Sequence, residues 1–216
     1  VSLSGTANVV AGQSLTGSGV VTVGGLAQLK TGAGQALTLT NSANNFSTVL
    51  IERAGNVSLV DASGIVLGKS SVSGTFELAA GGSISSVGAL AITGNATLSA
   101  VLASGTNTAD ISLDNAANDF AGTVTLTAAR HASVRDANAL AMGDVTLSGN
   151  LSLQSGDDLG GKARLGRCKR FRQQMPDILT AFGHPVGGKQ MLVLAHTGPV
   201  KRIVASTQGA YFAFTR

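Results

Sequence analysis

Apolar and small polar residues alternate through most of this chain, as in Val21-Thr22-Val23, Leu26-Ala27-Gln28-Leu29, Leu37-Thr38-Leu39-Thr40 and Leu90-Ala91-Ile92-Thr93. A period of two is the signature of a β-strand with one buried face, and no 3.6-residue periodicity competes with it. Glycines and Ser-Gly pairs separate the runs as turn punctuation. Strands of four to six residues therefore recur about every 8 to 12 residues, a spacing shared by sandwiches, barrels and solenoids.

Long-range self-similarity decides among these. LTLTNSANNF (Leu37 to Phe46) returns as ISLDNAANDF (Ile111 to Phe120), 74 residues on. DASGIVLG (Asp61 to Gly68) returns as DANALAMG (Asp136 to Gly143), and SLSGTANVVAGQSL (Ser2 to Leu15) returns as SVSGTFELAAGGSI (Ser71 to Ile84). A third copy of the last segment begins as SGNLSLQSGDDL (Ser148 to Leu159) and stops. Such a period is a property of repeat architectures, in which each unit stacks on its neighbour. The expectation is an all-β fold, a parallel β-helix (β-solenoid) built from units of about 70–75 residues, spanning residues 1–159. At about 18 to 20 residues per coil, each unit would be roughly four coils and the region about eight. Stacked about 4.8 Å apart, these would form a rod roughly 40 Å long. In that picture like sits above like. Phe46 and Phe120 should then fill equivalent corners from inside, with Asn41 and Asn115 as turn residues.

Composition supports a narrow interior. Hydrophobic residues make up 44% of the chain but aromatics only 4%, with 29 glycines and no tryptophan, so thin aliphatic layers must supply the core. That fraction suffices to bury a core despite the low complexity. The net charge of +4 averages two unlike segments. Residues 1–160 carry five Lys/Arg against ten Asp/Glu, whereas residues 161–216 carry ten against Asp177 alone. The only cysteine, Cys168, and all three prolines lie in that second part. No disulfide framework is expected, and no apolar run approaches the length of a membrane span. The first residue is not Met and no signal-peptide pattern opens the chain, which reads as an interior piece of something longer.

The motifs NSANNF and NAANDF, each followed by a strand containing Val and Thr, together with DA(S/N)xxxxLG and SGTxxLxAGGSI, resemble repeats of filamentous haemagglutinin-like proteins. These are bacterial adhesins secreted by the two-partner route, and autotransporter passenger domains look similar. The resemblance covers about residues 2–159. It implies a right-handed β-helix acting as a structural stalk and interaction segment without catalysis, secreted or held at the bacterial cell surface. Host-cell or cell-surface glycans and proteins would be the partners, and an outer-membrane transporter would export the parent protein. It implies no cofactor, no metal and no catalytic residue. A cysteine-free, weakly charged repeat also suits export unfolded.

The alternative function is a β-helix carbohydrate-active enzyme, which would need paired carboxylates in one groove. Clustering of Asp114, Asp119, Asp136 and Arg135 would support it. Asp61 and Asp136 occupy equivalent repeat positions, however, and read as turn residues, while Asp157-Asp158 replaces Gly82-Ser83. His131, the only histidine of the repeat, reads as a solvated loop residue rather than a ligand. No calcium-binding glycine-aspartate repeat is present. Thr38/Thr40 and Thr125/Thr127 do not recur coil after coil, which argues against an ice-binding ladder. Asn45, Asn56, Asn95 and Asn150 begin glycosylation sequons of the kind an Asn/Ser/Thr-rich chain generates by chance.

At Gly160-Gly161 the repeat fails: DLGGKARLGRCKRFR stands where the earlier copy has SISSVGALAITGNAT. Residues 160–216 form a basic, non-repeat tail, expected to be frameshifted, degenerate or poorly ordered; a genuine cap is the second reading. A nucleic-acid patch from Lys162, Arg164, Arg167, Lys169, Arg170 and Arg172 around Phe171 is the last, so nucleic acid is not an expected partner. Gly183 to Gln190 nearly matches a phosphate-binding loop, but Gln190 replaces the Ser/Thr that would hold magnesium, and MLVLA does not resemble the helix that should follow. Uncapped first and last coils would pair with other chains, so aggregation is expected of the fragment alone.

Overall fold

Each alternating run becomes a strand because its odd positions can bury while its even ones face water. Leu37 and Leu39, Val57 and Leu59, and Ile65 and Leu67 are all buried, and the residues between them are half-exposed. The computed structural model describes residues 1–101, 109–157 and 159–166, and the strands at 180–186, 189–195, 202–205 and 211–215; from residue 160 onward only backbone is described. No helix occurs among the described residues.

The chain opens with β1 (Ser2–Leu3), β2 (Ala7–Val10), β3 (Leu15–Gly17), β4 (Thr22–Lys30), β5 (Leu37–Leu39) and β6 (Asn45–Arg53). A regular middle follows: β7 (Val57–Asp61), β8 (Ile65–Leu67), β9 (Ser70–Val72), β10 (Phe76–Ala80), β11 (Ile84–Ser86), β12 (Leu90–Ile92) and β13 (Ala96–Ala100). Then come β14 (Ile111–Leu113), β15 (Asp119–Phe120), β16 (Thr123–Ala129), β17 (Ala132–Asp136), β18 (Leu140–Leu147), β19 (Leu151–Ser155) and β20 (Leu159–Gly166). In the middle the strands visit three sheets in rotation. β7, β10 and β13 join the eleven-stranded sheet, β8, β11 and β14 the ten-stranded sheet, and β9, β12 and β15 the three-stranded sheet. All of these pairings are parallel, one coil to the next. The result is a β-solenoid of about seven turns.

There are about seven turns rather than eight because the coils are longer than the alternation implies. Thr22 pairs with Asn45, a step of 23 residues, and Ala96 with Val124, a step of 28 across the coil that holds residues 102–108.

The repeat is also out of phase with the coil. Successive partners of Leu37 in the eleven-stranded sheet are Val57, Phe76 and Ala96, three coils on. Its sequence equivalent, Ile111, opens the next strand, β14, on the ten-stranded sheet. Asp61 ends β7 in the eleven-stranded sheet, and its equivalent Asp136 ends β17 in the ten-stranded one. Phe76 and Leu151 differ in the same way. One sequence unit is thus three coils plus one face, not four coils, and like does not sit above like. Stacking permits this because it asks only that buried positions meet buried positions. β7, β13, β17 and β19 all carry the same in-out-in-out-in pattern, so any of them can lie on any other.

One continuous aliphatic cluster runs from Ala7 to Leu159, widened by Phe46, Phe76 and Phe120, all at most 2% exposed. Both repeated phenylalanines therefore point inward as expected. Glycine governs one corner. Gly74, Gly94 and Gly122 stack coil on coil, and a Cβ on Gly94 or Gly122 would stand 2.5 or 2.3 Å from the carbonyl oxygen below. At the first coil the inward columns are uncovered: Leu3 and Val9 sit in register with buried Val23 and Leu29 but are 43% and 37% exposed. At the other end, β23 (Arg202–Ala205) pairs antiparallel with β19, and β24 (Tyr211–Thr215) antiparallel with β20. Residues 167–179 of the tail lie outside the described residues.

Candidate functional site

The chain's most elaborate side-chain chemistry is a corner built twice. In the first copy Asn41 turns the chain, its Oδ1 accepting the Ala43 amide at 2.9 Å. That turn drives Asn44 inside, where it is fully buried. Its Nδ2 donates to the Leu39 carbonyl at 3.0 Å, and its Oδ1 accepts the Val21 amide, one coil back, at 2.9 Å. The next coil closes the corner with Asp61, whose carboxylate accepts the Phe46 amide at 2.5 Å and the Ser63 amide at 2.7 Å. In the second copy Asn115 accepts the Ala117 amide, and Asn118 bridges the Leu113 carbonyl and the Leu90 amide. Asp136 accepts the Phe120 amide at 2.7 Å and the Asn138 amide at 2.7 Å.

These groups have been spent on backbone. A buried amide without a partner costs about 1–3 kcal/mol, so Asn44, Asn118, Asp61 and Asp136 act as braces between coils. Asp136 is only 2% exposed, and burial holds its carboxyl above the ordinary aspartate range against the pull of the Phe120 and Asn138 amides. Nearby Asp119 adds to the rise. The sequence singled out Asn41 and Asn115 but not Asn44 and Asn118. The available signal was that the second asparagine also recurs, just before the aromatic residue.

Asp114, Asp119 and Arg135 gather with Asp136 on two neighbouring coils. Leu113 pairs with Val134, so Asp114 and Arg135 follow next to one another, and Asp119 lies near Asp136, whose own carboxylate accepts backbone amides. Asp114 accepts hydroxyls from Ser112 and Ser133 on the outside of the ten-stranded sheet. Asp119 is exposed on β15, and Arg135 points outward from β17 between buried Val134 and Asp136. Asp158 lies outside the described residues. His131 is more than a solvated loop residue, since its Nδ1 accepts the Asn150 amide at 2.8 Å. Beside it Arg130 grips Asp110 with two hydrogen bonds of 2.9 and 2.6 Å. That contact, aided by the His131 amide, holds the Asp110 carboxyl below its usual range.

Sequon residues Asn56 and Asn95 use their Oδ1 atoms to accept Thr75 and Thr123 amides from the following coil, which gives those asparagines a structural reason. Of the phosphate-loop motif, Gly187 and Gly188 lie outside the described residues. The flanking segments, β21 (Thr180–Val186) and β22 (Lys189–Ala195), pair as an antiparallel hairpin where that motif would need a helix. Lys162 and Arg164 lie on β20, and Arg167, Lys169, Arg170, Phe171 and Arg172 fall outside the described residues. No group of three or more metal-binding side chains occurs among the described residues. No helix there is long and apolar enough to cross a membrane.

The outer surface has order that the sequence concealed. Thr16, Thr38 and Ser58 are in register on the eleven-stranded sheet, and beyond Glu77 the column resumes with Thr97 and Thr125. On the ten-stranded sheet Ser85, Ser112, Ser133 and Ser152 form an unbroken column. Thr38 and Thr125 do share a column, although they are not equivalent in the repeat.

No curated protein and no solved structure matches the chain. A family model does, in three consecutive stretches, residues 1–51, 54–127 and 129–165. The second stretch has the length of the repeat seen in the sequence, and the third ends within β20. The chain therefore belongs to the family described as repeats of unknown function (DUF5649).

Proposed function

We propose that this repeat protein is a stalk and interaction segment of a secreted or surface-exposed bacterial adhesin of the filamentous haemagglutinin type, and that it catalyses no reaction. The observation that carries the reading is how polar groups are divided. The duplicated inner ones are consumed by backbone, while the outer ones form hydroxyl columns along the rod. About seven turns at about 4.8 Å each give a rod of roughly 34 Å, and repetition lengthens it without new design. Rows of Ser and Thr offer many weak hydrogen bonds to a hydroxyl-rich partner such as a cell-surface glycan.

The test is accessibility on intact bacteria. The parent protein would carry an epitope in place of residues 103–107 and be expressed in its own host. Antibody should reach the epitope on unbroken cells or in the medium, and deletion of a neighbouring outer-membrane transporter should abolish that signal. An epitope reached only after lysis would overturn the reading.

A further inference from the structure

The residue just before a core strand has a second role. Its side chain accepts the backbone amide of the equivalent residue one coil later. Ser14 Oγ accepts the Ala36 amide at 3.2 Å, Asn56 Oδ1 the Thr75 amide at 2.9 Å and Asn95 Oδ1 the Thr123 amide at 3.0 Å. Along the ten-stranded sheet three such rungs are consecutive. Ser83 Oγ accepts from Asp110 at 3.1 Å, Asp110 Oδ1 from His131 at 3.1 Å, and His131 Nδ1 from Asn150 at 2.8 Å. Hydroxyl and amide oxygens accept at any ordinary pH. An imidazole nitrogen accepts only while it carries no proton.

We propose that His131 is a proton-operated latch on the coil that begins at Asn150. With Nδ1 bare, the ring ties Asn150 to the preceding coil. With Nδ1 protonated, two donors face one another and the rung opens. A proton on that nitrogen removes the acceptor that Asn150 uses, so acidity is the signal. The ring is also held in place: a Cβ on Gly149 would come within 2.4 Å of it, so the imidazole lies directly against the backbone of the coil it latches. Among the described residues, the charged groups around it are Asp110, one coil back, and Arg130, next in the chain, and these two are paired with each other. Gly149 and Asn150, facing from the following coil, do not titrate. Opening is confined to the start of β19, because the parallel pairing of Ala132 to Asp136 with Leu151 to Ser155 continues beyond the rung.

The test is amide hydrogen exchange of the full chain from pH 8 to pH 5, corrected for intrinsic rates, in wild type and His131→Asn. Asparagine fills the same rung at positions 56 and 95, so the variant keeps an acceptor and loses the proton. Loss of one hydrogen bond should raise opening at Asn150 roughly three- to tenfold at pH 5 in wild type. His131→Asn should show no such rise. Equal pH dependence in both, or none in wild type, overturns the proposal. Should the variant fold poorly, the nitrogen chemical shifts of the native His131 ring decide alone: an Nδ1 already protonated at pH 8 is incompatible with the latch.

Discussion

The two corners, one around Asn44, Phe46 and Asp61 and the other around Asn118, Phe120 and Asp136, share a sequence and a hydrogen-bond plan but not a place. The first joins the eleven-stranded sheet to the ten-stranded one, and the second leads from the ten-stranded sheet through β15. Their surroundings differ accordingly. Asn44 braces the half-exposed Val21, whereas Asn118 braces fully buried Leu90 and donates a further bond to the Arg135 carbonyl at 3.2 Å. Asp61 receives a third hydrogen bond, from the Ser63 hydroxyl at 3.0 Å, but Asp136 has no hydroxyl there because position 138 is asparagine. The corner is thus a portable device. It carries its own turn, brace and plug, and can be set between any two faces whose strands present the in-out pattern.

Removing the plugs should have the largest effect. Phe46→Ala and Phe120→Ala each delete a fully buried ring and should cost about 3–5 kcal/mol, read as a fall in the urea midpoint. If the corners are equivalent devices, the two losses should agree within about 1 kcal/mol despite the different faces. A negligible loss at either site would mean that the corner does not organise its coil.

The braces should separate the copies. Asn44→Ala and Asn118→Ala each strand buried backbone groups, at about 1–3 kcal/mol. Asn118→Ala should be the costlier, since its orphaned Leu90 amide has no route to water and the Arg135 bond goes with it. Amide exchange would place the effect, at Leu90 in one variant and at Val21 in the other. A reversed order would show that depth of burial does not set the value of the brace.

The alternation made the strands and the parallel stacking legible, because buried and exposed positions obey one rule everywhere. The echo of NSANNF in NAANDF made the corner legible, including its inward phenylalanine. What escaped was phase. Sequence similarity reports that two segments solve the same local problem, whereas stacking is decided by whichever apolar strand lies one coil away. Leu37 resembles Ile111 but rests on Val57. The hydroxyl columns escaped for the same reason, since Ser112 and Ser133 meet only once coil length is known. His131 escaped because a rung of the ladder is defined by its partner's backbone, which carries no residue identity.

The smallest effect concerns charge. Position 119 is aspartate where the first copy has Asn45, and Asp119 adds repulsion to a carboxyl that burial has already raised. A carboxyl raised in the folded state contributes stability that is full below its unfolded value, about 3.9, and is lost as pH climbs through the folded value. Ionised Asp136 is therefore a cost at neutral pH, and Asp119→Asn should recover part of it, by a few tenths of a kcal/mol because Asp119 is exposed. The gain should appear in urea midpoints near neutral pH, shrink with added salt, and fade as pH falls and Asp136 takes up its proton. The matching change in the first copy, Asn45→Asp, should lower stability over the same range by setting a second charge beside Asp61. If Asp119→Asn stabilised equally at every pH, the difference between the corners would lie in packing rather than in charge.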